Sequence, residues 1–79
     1  MWYNMRRMDK ENEIYAAVAD ALEVACVGAG DDYRKFPLWG SLAAFSLKVT
    51  FARKFGCDLG LKELDSFGSA GELARRILG

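Results

Sequence analysis

No stretch of this chain alternates apolar and polar residues as a half-buried strand must, whereas its apolar residues return every three or four positions. That periodicity restricts the chain to helices. From about Asp9 to Val27, Ile14, Val18, Leu22 and Cys26 recur every four residues, with Tyr15, Ala21 and Ala25 beside them. Asp9, Glu11, Glu13, Asp20 and Glu23 fall largely elsewhere on the wheel. The spacing predicts an amphipathic helix that stops at Gly28-Ala29-Gly30, where glycine offers a left-handed conformation. A loop follows over residues 31–40, with the only proline, Pro37. Its Tyr33, Phe36, Leu38 and Trp39 are too apolar to stay in water and are expected to fold back over the helices.

The second helix is predicted from near Ser41 to Phe55. Leu42, Phe45, Val49 and Ala52 form one apolar row, and Leu47, Phe51 and Phe55 form another. A helix apolar over so much of its circumference is expected to be central and contacted on several sides. Phe51 and Phe55 are expected in the core with Leu22 and Ile77. Leu59, Leu61, Leu64 and Phe67 allow a short helix, and Ser69-Ala70-Gly71-Glu72 reads as a capping box opening a last helix with Leu73, Ile77 and Leu78 inward. The predicted fold class is all-α, a bundle of three main helices with a short helix before the last and a long first loop. Residues 1–8 read as an N-terminal extension and 9–79 as one helical domain.

Size and composition narrow the function. At 79 residues the chain is a single domain that buries only about 60% of its unfolded surface, so its 52% hydrophobic residues make one compact core and no deep substrate cavity. Eleven basic residues balance eleven acidic ones, which argues against nucleic acid as the partner. No apolar run approaches the roughly 20 residues of a membrane span, and the start lacks the apolar stretch of a signal peptide, so a soluble, cytoplasmic chain is expected. There is no histidine and no cysteine pair at zinc-ligand spacing, which removes the usual general base, every His-dependent triad and most metal sites. An enzyme in its own right is not expected. Cys26, in Val24-Ala25-Cys26-Val27, reads as a small buried hydrophobe, and Cys57 as an exposed thiol that nothing activates.

The stretch Leu38-Trp39-Gly40-Ser41-Leu42-Ala43-Ala44-Phe45-Ser46-Leu47, closed about four turns on by Phe55-Gly56, resembles the core of the acyl carrier protein family. In that family an Asp-Ser-Leu motif opens the second helix. Leu64 and Phe67 followed by Ser69-Ala70-Gly71-Glu72-Leu73 resemble the family's entry to its final helix, and Tyr33 stands where the family has an aromatic in its first loop. The similarity covers roughly residues 11 to 78. It implies an acyl-carrier-like bundle in which Ser41 carries 4′-phosphopantetheine as a phosphodiester, with acyl groups held as thioesters on the terminal thiol. It further implies a monomer that serves a phosphopantetheinyl transferase and acyl-handling enzymes in fatty acid, polyketide or other lipid biosynthesis. A helix N-terminus, with its unpaired amides, suits the phosphate.

Two departures from the family pattern bear on partners. Gly40 stands where the family has Asp, and the second helix carries Lys48, Arg53 and Lys54 with no acid between Asp32 and Asp58. Leu42, Lys48, Arg53 and Lys54 are therefore the candidate partner-binding residues. A basic helix calls for an acidic or apolar partner surface and a specialised pathway in place of a housekeeping synthase. Other readings stay open. A serine between glycine and a helix is also an ordinary N-cap, contributing about 1 kcal/mol. A carrier-like domain without the prosthetic group, acting as a protein-interaction module, is the alternative, and a nucleic-acid module using Arg34, Lys35, Lys48, Arg53 and Lys54 is a third.

Overall fold

The computed structural model describes residues 2–79, with side chains from Asp9 onward. Four helices follow one another: α1 (Trp2–Leu22), α2 (Ser41–Phe55), α3 (Leu61–Leu64) and α4 (Ala70–Leu78). The first loop is long and contains one 3-10 turn at Tyr33–Lys35. Among the described residues there is no strand. The architecture is the all-α bundle that the periodicity predicts, with three longer helices and a short one before the last.

The ends of α1 differ from expectation. Its backbone is helical from Trp2, not from about Asp9, because no glycine or proline precedes Gly28 to interrupt it. Met1 and the side chains of residues 2–8 lie outside the described residues, so the expected N-terminal extension is described only as backbone. At the other end α1 stops at Leu22, well before Gly28. Glu23 takes a left-handed backbone, φ 56°. Its N–H donates to the Asp20 carbonyl (3.2 Å), and the Val24 N–H donates to the Ala19 carbonyl (3.0 Å). This bond pair closes helices that usually place glycine at the turn. A left-handed residue other than glycine costs roughly 1 kcal/mol. The turn seats Val24 against the core, and that burial offsets the cost. Cys26 leaves the helix as a result and is exposed, contrary to the expectation of a buried thiol.

The core forms where α1 lies against α2 and α4. Ile14, Val18 and Leu22 meet Leu47 and Phe51 of α2 and Leu73 of α4, with Leu59 and Leu64 closing the side next to α3. Tyr33 of the loop is fully buried among them, and Phe36 and Trp39 are half-buried, so the loop does fold back. Leu38 is the exception and stays exposed. Phe55 and Ile77 are half-buried at the edge of this core, with the Phe55 ring 6.1 Å from that of Phe51.

The larger correction concerns α2, which is not contacted all round. Ala43, Ala44, Leu47 and Phe51 face inward. The row Leu42, Phe45, Val49 and Ala52 faces solvent, with Leu42 87% exposed and Phe45 57%. The reason is supply of elements: α1 and the short α3 cover one side of α2, and no further helix is present among the described residues to cover the other.

Phe51 and Phe55 should accordingly differ. Phe51→Ala empties a fully buried site and is expected to cost about 3–5 kcal/mol, whereas Phe55→Ala should cost distinctly less. Urea denaturation of both variants checks the order, and equal losses would mean that Phe55 is buried as deeply as Phe51.

Candidate functional site

The start of α2 is set by Gly40, which is extended and whose carbonyl accepts the Ala44 N–H at 2.9 Å. Gly40 is thus the cap residue, and Ser41 is the first residue inside the helix. The Ser41 side chain is exposed, and its hydroxyl has no hydrogen-bond partner among the described residues. The first turn of α2 contains no carboxylate. A free hydroxyl therefore sits beside unpaired helix amides.

The loop before Ser41 is fixed by its own aromatics. Trp39 packs edge-on against Tyr33, with ring centroids 4.9 Å apart and planes at 70°. Its indole Nε1 donates to Asp65 Oδ1 at 3.0 Å. The buried Tyr33 hydroxyl donates to the Leu64 carbonyl at the end of α3. Arg34 grips the Asp32 carboxylate through Nε and Nη2 (2.9 and 3.0 Å) and donates from Nη1 to the Asp65 carbonyl at 3.0 Å. The loop is in this way tied to the C-terminal end of α3 at three points. Burial holds the Tyr33 phenol well above its ordinary range, and the Arg34 hydrogen bond holds the Asp32 carboxyl below its own.

These ties leave an open cavity of about 330 Å³ between the start of α2 and α3. Ser41 lines it together with Trp39, Ala44, Leu61, Lys62 and Asp65. Lys62 has no ion-pair partner among the described residues, which puts an unused cation on the same cavity as the serine. Sequence reasoning places Leu61 in the short helix but neither it nor Lys62 at the site, because nothing local links that helix to a serine far along the chain. The tie from Trp39 to Asp65 was equally silent. The sequence shows an apolar loop residue but not its partner.

The predicted basic residues of α2 do not share a side. The Lys48 ammonium donates to Asp58 Oδ1 (2.8 Å) and the Leu59 carbonyl (3.1 Å), tying α2 to the segment before α3. That bond holds the Asp58 carboxyl below its ordinary range. Lys54 lines a groove between α1 and α2 with Glu13 and Asp20. Arg53 alone stands one turn beyond Val49, on the side of the exposed apolar row, with no ion pair among the described residues. Leu42 heads that row. Arg34 is likewise committed, to Asp32, so the five cations of a nucleic-acid reading do not act as one free set.

The entry to α4 follows the expected motif in part. The Glu72 N–H donates to Ser69 Oγ at 3.3 Å, while the Glu72 carboxylate rests against Gly68 in place of the Ser69 amide. The amides of Ala70 and Gly71 donate to the Asp31 and Ala29 carbonyls (2.9 and 2.8 Å), and a side chain at position 71 would lie 3.0 Å from the Ala29 oxygen. Gly71 is there so that loop and helix can approach. Cys57 is half-buried and near the Arg76 guanidinium at 3.6 Å, and Arg76 is paired with Glu63. Among the described residues no cluster of His, Cys, Asp and Glu could hold a metal ion, and no helix is long and apolar enough to cross a membrane.

In comparisons with known proteins, no family model, no curated protein and no solved structure matches the chain.

The Tyr33 tie can be tested through pH. The folded phenol keeps its proton to higher pH than an unfolded one, so its stabilising contribution is complete below about pH 10 and is lost as pH climbs beyond. Tyr33→Phe should cost about 1–3 kcal/mol at neutral pH, since the Leu64 carbonyl loses its donor. Denaturant melts at pH 7 and pH 11 should show the wild type losing more stability on alkalinisation than the variant. An equal loss would refute the buried phenol.

Proposed function

We propose that the protein is a carrier domain of the acyl carrier type, not itself an enzyme, in which Ser41 is the attachment point for 4′-phosphopantetheine. The observation that carries the reading is the state of the Ser41 side chain: exposed, unbonded and inside the helix, with the capping role taken by Gly40. An N-cap serine spends its hydroxyl on the helix amides, and this one does not.

The surroundings fit the group. A phosphodiester on Ser41 meets the amides of the first turn of α2, with Lys62 on the same cavity and no carboxylate in that turn. Asp65, also on the cavity, is engaged by the Trp39 indole. Trp39, Ala44 and Leu61 give the cavity an apolar wall against which the first part of a pantetheine arm can lie. When bound, the group supplies a thiol that forms thioesters with acyl groups. The protein anchors the arm and presents it, which raises the local concentration of the cargo at each partner. The partners are a phosphopantetheinyl transferase and acyl-handling enzymes of a specialised lipid or secondary-metabolite pathway, in a soluble cytoplasmic setting.

Position 40 is open. A side chain built there meets no atom within 4 Å, and the extended backbone accepts any residue. Gly40→Asp therefore restores the family's usual neighbour of the serine without strain.

Intact-mass spectrometry after incubation with coenzyme A and a broad-specificity phosphopantetheinyl transferase should show one phosphopantetheine per chain, absent in Ser41→Ala. Gly40→Asp should be modified faster. Ser41→Ala should lose under about 0.5 kcal/mol of stability, whereas an N-cap serine would cost about 1 kcal/mol. Failure of modification with several transferases, in both the wild type and Gly40→Asp, would leave the interaction module without prosthetic group, a reading favoured by the exposed apolar row of α2.

A further inference from the structure

Three helix ends meet at one pole of the bundle. Lys54, in the last turn of α2, shares a groove with Glu13 of α1. Arg75 and Leu78, in the last turn of α4, share a cavity with Glu11. Arg76 lies 3.6 Å from Cys57, just beyond α2. The ends of α2 and α4 therefore stand together beside residues 11–13 of α1. α1 does not stop there. Its backbone continues helical to Trp2, about 14 Å past that level at about 1.5 Å per residue. Among the residues whose side chains are described, α1 contributes to the core only from Ile14 onward.

The zero net charge conceals a polarity along the molecule. The same pole gathers Arg53 and Lys54 from α2 and Arg75 and Arg76 from α4. Lys10 stands on α1 close to this level, and Arg6 and Arg7 follow toward its tip. Arg76 is paired with Glu63, whereas Lys10, Arg53, Lys54 and Arg75 have no ion pair among the described residues. The acids of α1 near this level are Asp9, Glu11 and Glu13. Ser41 opens α2 at its far end, about 21 Å away along the helix.

The tip has its own chemistry. Its sequence, Trp2-Tyr3-Asn4-Met5-Arg6-Arg7-Met8, contains no acid. Trp2, Met5 and Met8 recur at every third residue, a spacing that places them along one side of a helix. Trp and Tyr favour the boundary between lipid headgroups and acyl chains, and clustered cations favour anionic headgroups. Either signal alone attaches a protein weakly, and the two together give a reversible hold. A nucleic-acid backbone rewards the cations but not the thioethers. A second copy meeting this pole with its own sets cation against cation.

We propose that this pole is a peripheral membrane anchor: the projecting turns of α1 enter the headgroup layer of an anionic bilayer, and the cations at the ends of α2 and α4 settle on lipid phosphates. Nothing crosses the bilayer, in keeping with the absence of a long apolar helix among the described residues. Ser41, at the far end of α2, stays on the side away from lipid. The anchor does not depend on what Ser41 carries.

The test uses the full chain carrying Ser41→Ala, so that its outcome is separate from the carrier reading. Flotation with vesicles of phosphatidylcholine, with and without phosphatidylglycerol, reads the bound fraction at low and high salt. Binding to the anionic vesicles should be at least about tenfold tighter than to the neutral ones and should weaken with salt. Arg6→Glu with Arg7→Glu, and separately Arg53→Glu with Arg75→Glu, should each weaken it at least about fivefold. Trp2→Ala should weaken it at least about threefold at unchanged charge. Melting curves of all three variants should match the parent, since these positions lie outside the core. On anionic nanodiscs with a paramagnetic headgroup, amide signals of residues 2–10 and of the last turns of α2 and α4 should broaden, while those of the first turn of α2 stay sharp. No binding to anionic vesicles, full binding by Trp2→Ala, or broadening centred on the start of α2 would overturn the proposal. So would a preference for duplex DNA over the anionic vesicles, or self-association that displaces them.

Discussion

The hydrogen bond from the buried Tyr33 phenol to the Leu64 carbonyl ties together parts of the molecule that otherwise have little to hold them. A four-residue helix such as α3 has no stability of its own, because forming a first helical turn fixes several dihedrals for very few bonds. It persists here because the loop aromatics and Lys48 pin it from either side. The same Tyr33 ring is the platform for Trp39, and Trp39 leads directly into Gly40 and Ser41. The position of the candidate serine is therefore inherited from a residue eight places upstream in the loop, through packing and not through local preference (41 − 33 = 8).

The rest of the fold follows from economy. A domain this small must use its loop as core material, which is why Tyr33 is fully buried and Phe36 and Trp39 are half-buried. The loop also supplies backbone carbonyls from Ala29 and Asp31 to the first amides of α4, and Gly71 permits that approach. Among the described residues no buried side-chain nitrogen or oxygen lacks a hydrogen-bond partner. Among the described residues, the only large apolar side chains left without cover in a continuous row are those of α2, on the side that leads from Ser41 toward Arg53.

The proposed carrier role centres on the start of α2. Its first residue and the cavity beside it offer an unbonded hydroxyl, helix amides and the Lys62 cation, a combination suited to an attached phosphodiester. Its outer row is apolar and exposed, with Arg53 beside it, which has no ion pair among the described residues. The two lie on one rigid helix, so a partner seated on the row would be held at a fixed distance from whatever Ser41 carries.

The sequence by itself determined the number and order of the helices, the limits of α2, the cap at Ser69 and the return of the loop aromatics to the core. These follow from periodicity, from glycine placed where a left-handed turn is needed, and from apolar content, all of which act locally. It placed Ser41 at the head of α2 but could not say whether the hydroxyl caps the helix, because that depends on whether Gly40 or Ser41 accepts the first bond. Only the tertiary structure decided that α1 ends at Leu22, with a left-handed Glu23 and no glycine after it, since burying Val24 offsets the strain. It also decided which of two apolar rows of α2 faces water, and which of Lys48, Arg53 and Lys54 stands beside that row. Both rows carry the same residue types, and the three cations are close in sequence. What separates them is the direction from which α1 and α3 approach, and that is a property of the assembled bundle.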